Sequence, residues 1–136
     1  MREDFNVKKL IILMLAAIFL MGCSETSEEK LEDLEFTVIA DREIPEELAT
    51  VIAEKKGSPF QLTFSTPEHL YMVVGYGAQA TGGYSIQVLE CYLTENAIVL
   101  DTELLGPESV PEGAAEASYP YLVVRTAVRQ EPVIFR

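Results

Sequence analysis

Hydrophobic positions along this chain follow three rhythms in succession: one unbroken run near the start, one helical stripe, and then a series of short strand-like runs. Leu10 to Leu20 (LIILMLAAIFL) is continuously apolar. From Leu34 the pattern becomes strand-like, with Phe36, Val38 and Ala40 alternating with Glu35, Thr37 and Ile39 before Asp41-Arg42-Glu43 ends the run. The stretch Pro45 to Gly57 carries helix signals: proline in the first turn, Glu46 and Glu47 behind it, Lys55 and Lys56 in the last turn and a glycine stop. Leu48, Val51 and Ile52 fall at i, i+3 and i+4, a single apolar stripe that predicts a helix lying on a sheet.

Beyond Gly57 the runs are those of strands. Gln61–Phe64, Leu70–Tyr76, Tyr84–Leu93, Ala97–Leu105, Tyr119–Val128 and Val133–Phe135 are each apolar or alternating, and Glu95-Asn96 separates two of them as a hairpin turn. Gly106 to Glu116, with two prolines and two glycines, reads as a loop, and Pro120 confines the start of the following strand to an edge or an entry point. These elements predict an α+β domain, mostly β with one packed helix, arranged as an antiparallel sandwich or a strongly curved sheet.

The front of the chain is built differently. Arg2, Lys8 and Lys9 precede the apolar run, whose 11 residues fall well short of the roughly 20 that span a membrane as a helix. Leu20-Met21-Gly22-Cys23 follows at once, a small residue before a cysteine, and resembles the lipobox of bacterial lipoproteins. The resemblance implies that residues 1–22 are a signal peptide cleaved after Gly22, and that Cys23 carries a diacylglycerol and an N-acyl chain such as palmitate. Residues 23–33, polar and acidic through SETSEEKLED, then read as a solvated tether, and 34–136 as one domain on the extracytoplasmic face of the cell membrane.

Charge narrows the partners. The whole chain has 22 acidic and 10 basic residues; the signal segment takes two and three of these, leaving 20 against 7 and a formal charge of −13. Such a surface repels nucleic acid and anionic headgroups, so membrane attachment falls to the lipid, at about 0.8 kcal/mol per buried methylene.

Candidate chemistry is sparse. With Cys23 lipidated, Cys91 is the remaining thiol, and its setting in Val88-Leu89-Glu90-Cys91-Tyr92-Leu93 is that of a small buried hydrophobe, ahead of a free nucleophile or half of an intermolecular bridge. His69 is the sole histidine, so no two-histidine zinc site can form, and after Thr66-Pro67-Glu68 it reads as an exposed turn residue. A Cys91–His69 pair across neighbouring strands, or a carboxylate pair, would be needed for an enzyme. No metal and no cofactor is expected.

One segment stands apart. Gly75-Tyr76-Gly77-Ala78-Gln79-Ala80-Thr81-Gly82-Gly83-Tyr84-Ser85-Ile86 places four glycines between two strands, as in a hairpin loop, with Gly82 and Gly83 at positive φ. No helix follows and no lysine is near, which argues against a phosphate cradle. Thr81-Gly82-Gly83-Tyr84-Ser85-Ile86, Gly106-Pro107 and Tyr119-Pro120-Tyr121-Leu122-Val123-Val124 together resemble the family of secreted proteins named for protease complex subunit PrcB, over about Leu70 to Arg125. The resemblance implies a small exported domain that associates with a secreted or surface protease without a reaction of its own. A narrower likeness joins Thr81-Gly82-Gly83-Tyr84 to the T-T-G-Y loop of chagasin-type cysteine-protease inhibitors, whose other loop motifs are missing.

The contact surface is expected at Tyr76, Gly77, Thr81, Gly82, Gly83 and Tyr84, with Tyr76 exposed as the anchor and Tyr84, on the parity of Ile86 and Val88, facing the core. The other reading is an envelope structural or small-ligand-binding module in which the loop only shapes the fold. Replacing Cys23 by alanine is expected to leave the precursor uncleaved and unlipidated; incorporation of labelled fatty acid into the variant would contradict the lipobox reading.

Overall fold

The structure, a computed structural model, describes residues 29–110 and 116–136; the expected signal peptide and Cys23 lie outside them. Its strands are β1 (Glu32–Asp33), β2 (Thr37–Val38), β3 (Pro59–Ser65), β4 (His69–Tyr76), β5 (Ser85–Leu93), β6 (Ile98–Leu105), β7 (Tyr121–Ala127) and β8 (Val133–Phe135), and its α-helix is α1 (Glu46–Lys55). They form two four-stranded sheets, one ordered β1-β5-β6-β8 and the other β2-β7-β4-β3. Among the described residues the fold is mostly β with a single α-helix, and of the two arrangements expected it is the sandwich and not one strongly curved sheet. One pairing departs from the antiparallel rule: β8 runs parallel to β6.

Three layers result. On the inner side of β4 and β7, Leu70, Met72, Val74 and Val124 meet Cys91 and Leu93 of β5 and Ile98 and Leu100 of β6, all buried. On the opposite side of the same strands, Tyr71, Val73 and Val123 pack on Leu48 and Ile52 of α1 and on Ile39. The central strands β4 and β7 are thus buried on both faces, which is why Leu70 to Val74 is an unbroken apolar run and not an alternating one.

The facing sheet turns one side to these residues, and β5 supplies that inward side with a change of parity. Tyr84, Ile86 and Val88 are half-buried at even positions, whereas Cys91 and Leu93 are buried at odd ones. The ladder with β6 explains the switch: Val88 pairs with Thr102 and Glu90 with Asp101, so Leu89 is an extra residue in a β-bulge and stands 47% exposed. The β5–β6 hairpin closes through Glu95-Asn96 as expected, with the Thr94 hydroxyl accepting from the amides of Asn96 and Ala97.

The helix matches its sequence signals closely. Pro45 sits at the cap position, the acids occupy the first turn, and Leu48 and Ile52 are buried while Val51 is half-buried. A 3-10 turn at Asp41–Glu43 precedes it and is tied to the sheet by the Tyr121 hydroxyl, which donates to Asp41 Oδ1 at 2.7 Å. Burial, then that hydrogen bond, pushes the Tyr121 phenol up to about 12, so it remains a donor throughout the physiological range.

Several boundaries differ from the sequence reading. Glu32 and Asp33, at the end of the segment expected to be a tether, pair with Leu93 and Tyr92 of β5. The run after Leu34 is strand only at Thr37–Val38, where Val38 is 47% exposed; Ile39, from the other parity, is the residue that enters the core. The chain there crosses from one sheet to the other, and a crossing segment has no single face to keep apolar. β7 begins at Tyr121 and not Tyr119, since Pro120 has no N–H for the ladder.

Candidate functional site

The glycine-rich segment is not a hairpin loop. β4 and β5 lie in different sheets, so residues 77–84 form an arch that carries the chain from one sheet to the other. The chain returns from β6 to β7 across the same end of the sandwich, and the two connections are bonded together. Gln79 and Ser118 exchange backbone hydrogen bonds at 2.8 and 3.0 Å, and the Ser118 hydroxyl donates to the Thr81 carbonyl at 2.6 Å. The Gln79 side-chain Nε2 donates to the Tyr76 carbonyl at 3.1 Å, holding the start of the arch.

Two glycines make the arch. Gly77 has φ +76°, and a side chain there would meet Pro59 at 2.7 Å; Gly83 has φ +87°, and a side chain there would meet Pro107 at 2.9 Å. Both positions are in the left-handed region that favours glycine, and both have a proline ring against the missing Cβ. Gly82, expected at positive φ as well, is not: its φ is ordinary and nothing lies within 4 Å of the place its Cβ would take. The turn needs one left-handed residue at this point, and Gly83 supplies it.

The tyrosines are also placed differently from expectation. Tyr76, expected as the exposed anchor, has the inner parity of Leu70, Met72 and Val74; it is half-buried against the core, and its hydroxyl shares a 2.6 Å hydrogen bond with Thr102 Oγ1. Thr102 is itself buried at 8% exposure, so this bond satisfies two polar groups between the sheets. Tyr84 is half-buried as its parity implied, with its ring beside Gly106. Of the six residues singled out, Gly82 and Gly83 are exposed and Thr81 half-exposed, so the exposed part of the arch is its tip and not its aromatic rings. Tyr119, which the sequence reading placed inside a strand, is 42% exposed close by, with the Lys56 ammonium 5.7 Å from its ring.

The residues considered for catalysis are not brought together. His69 opens β4 with its amide donating to the Thr66 hydroxyl and its ring edge-on to Tyr71 at 6.1 Å, on the helix side of that sheet. Cys91 lies in the layer on the other side. It is buried, and burial, with a smaller contribution from the charge of Asp33, pushes its thiol from 9.0 up to about 11. At neutral pH it is a thiol, not a thiolate. His69, expected to be exposed, is half-buried, with the Thr66 hydroxyl on its backbone amide and the Tyr71 ring beside its own. Among the described residues, no group of three or more His, Cys, Asp or Glu side chains is arranged to hold a metal ion.

Two predictions follow from this geometry. Gly83→Val is expected to destabilise the domain by about 1–3 kcal/mol, because a β-branched residue is strained at that φ, and Gly82→Val to change stability by no more than about 0.5 kcal/mol; denaturant unfolding of the two variants checks the contrast. Cys91 is expected to resist thiol reagents in the native state at pH 7. Since its folded pKa is raised, its contribution is full below about 9 and is lost as pH rises towards about 11. The stability difference between wild type and Cys91→Ala should therefore narrow across that window.

Compared with known proteins, residues 70–127 match the family model described as PrcB C-terminal, a span that runs from β4 through β7 and includes both connections of the arched end. No curated protein and no solved structure matches the chain.

Proposed function

We propose, on the premise that residues 70–127 are a PrcB C-terminal domain, that this protein is a non-catalytic accessory subunit of a protease complex, held at the extracytoplasmic face of the cell membrane by a lipid on Cys23. The family match is the observation that carries the reading. It spans the four strands that supply every fully buried residue of the inner core and the arch between them, so the matched unit is the structural heart of the domain and not an appended motif.

The arched end supports a binding role in a physical sense. Its backbone is fixed by Gly77, Gly83, two proline contacts and the Gln79–Ser118 bridge, so little conformational entropy remains to be lost when a partner covers it. Thr81, Gly82 and Gly83 form the contact, with Tyr76 and Tyr84 acting as internal supports. A secreted or surface protease is the partner, and the domain contributes position and affinity to the complex while the protease does the chemistry. The buried protonated Cys91 and its separation from His69 are consistent with that division of labour.

The test uses the full-length protein expressed in its own cell and purified from the membrane fraction. A protease is expected to co-purify with the wild type. Gly82→Arg, which adds a long side chain where space is open, should lower the recovered protease activity several-fold while the melting temperature stays within a few degrees of wild type. Absence of any protease from the wild-type eluate overturns the accessory-subunit reading. Undiminished recovery with Gly82→Arg removes the arch tip as the contact.

A further inference from the structure

The end of the sandwich opposite the arch is left open by the way the chain enters it. β2 and β4 both run antiparallel to β7, one on each side, with Thr37 opposite Arg125 and His69 opposite Ala127. β2 begins only at Thr37, because the residues before it cross to the other sheet, where the Leu34 amide donates to the Cys91 carbonyl. No strand therefore continues β2 beside Ala127. A hollow of about 810 Å³ opens there, walled by the crossing, the turn before β4 and the end of β7, with no residue of α1 in its lining. Sites for small molecules have volumes of about 300–1,000 Å³.

The ionisable groups around this hollow are Glu35, Glu68, His69, Arg125 and Arg129. Arg129 is neutralised by Glu131, its Nε and Nη2 lying 3.0 and 2.6 Å from one carboxylate oxygen. Arg125 is equally half-buried, yet its guanidinium makes no ion pair or hydrogen bond with any described residue, in a chain of 22 acidic and 10 basic residues. The carboxylates of Glu35 and Glu68 and the ring nitrogens of His69 are likewise without a partner among the described residues. Their placement follows from the ladder. Arg125 stands opposite Tyr71 on the helix-side face and His69 is two residues from Tyr71 on the same face, so guanidinium and imidazole are diagonal neighbours, about 7 Å apart at their bases. The Ala127 amide adds a third donor. The Val123 carbonyl accepts from the Ile39 amide on the β2 side, so by alternation the Ala127 N–H points to that side too, past the end of β2. Glu35 precedes β2 and Glu68 precedes β4, which sets one carboxylate on each flank of the three donors.

We propose that this hollow binds a short peptide, of about two or three residues, with both termini free. Its carboxylate lies on Arg125, His69 and the Ala127 amide, with the guanidinium fork supplying most of the recognition. Its ammonium lies on the flanking carboxylates of Glu35 and Glu68, and an apolar side chain packs on Phe36, which is 40% exposed in the wall of the hollow. A plain anion would meet the two carboxylates and a plain cation the guanidinium, so a ligand of both charges is the one that satisfies every unpaired group. A free carboxylate and a free ammonium on one short peptide are what peptide-bond hydrolysis leaves, which makes the ligand class that of a protease's products. That link rests on the accessory-subunit reading; the site itself rests on the residues above, at the far end of β4 from the arch.

The experiment is calorimetric titration of the full-length protein in detergent with alanyl-phenylalanine, its N-acetyl form, its C-terminal amide and free phenylalanine. The unblocked dipeptide is expected to bind saturably and the other three about tenfold more weakly. Arg125→Gln should weaken the dipeptide about tenfold and leave the amide unchanged, and the double replacement of Glu35→Gln with Glu68→Gln should weaken the dipeptide and leave the N-acetyl form unchanged. A merely structural role would move all the ligands together. Arg125→Lys keeps the charge and loses the fork, so it should fall between wild type and Arg125→Gln, and it keeps the test decisive should the glutamine variant unfold. Absence of saturable binding by the dipeptide, equal binding of either blocked form, or undiminished binding by the Arg125 variants would each overturn the proposal. Free phenylalanine binding as tightly as the dipeptide would overturn the peptide and assign the hollow to an amino acid. Protease co-purification bears on the accessory-subunit reading alone, so the two can fail separately.

Discussion

The insertion of Leu89 into β5 is the constraint on which the sandwich turns. A strand whose side chains alternate strictly can keep only one parity on the inner layer. In β5 the inward residues before Leu89 are even-numbered and those after it are odd-numbered. Without the extra residue, either Ile86 and Val88 or Cys91 and Leu93 would point to solvent. The second pair stands against Leu70, Met72 and Val74, so its loss would strip the inner face of the doubly buried strands β4 and β7 and, through them, the seat of α1.

Much of this was legible in the sequence, and the failures share a cause. Helix α1 was readable because proline, acids, lysines and a 3.6-residue stripe all agree, and the Glu95-Asn96 hairpin because two strands flank a short polar turn. What local pattern does not encode is which sheet a strand joins. Between β4 and β5 the glycines look like a hairpin turn, and only the long-range pairing of β4 with β7 makes them an arch. The same limit misplaced Tyr76. A strand buried on both faces has no alternation, so nothing in Leu70–Tyr76 marks which side a residue faces, while Tyr84, on a strand with one wet side, could be assigned by parity.

Glycine placement shows the limit at finer grain. Gly82-Gly83 is locally symmetric, and the sequence reading gave both the same role. Pro107, 24 residues further along, decides between them by occupying the space beside Gly83. The role of Gly77 depends in the same manner on Pro59, the first residue of the edge strand β3. Rigidity at the arched end and openness at the other, beside the end of β7, are consequences of one topology: strands that pair across the chain need crossings, and the crossings use up the connections that would otherwise cover an edge.

The parallel strand β8 gives this topology a practical consequence. Arg136 is locked into the sheet, its amide donating to the Leu100 carbonyl and its carbonyl accepting from Thr102, and it borders a hollow beside Pro59 and Gln61. Any polypeptide fused after Arg136, an affinity handle or a fluorescent reporter, therefore leaves the domain from beside that hollow. Such a fusion would lie beside the Pro59–Gln61 end of β3, whereas the exposed turn at Glu95-Asn96 contributes no residue to that hollow and offers a label a separate exit.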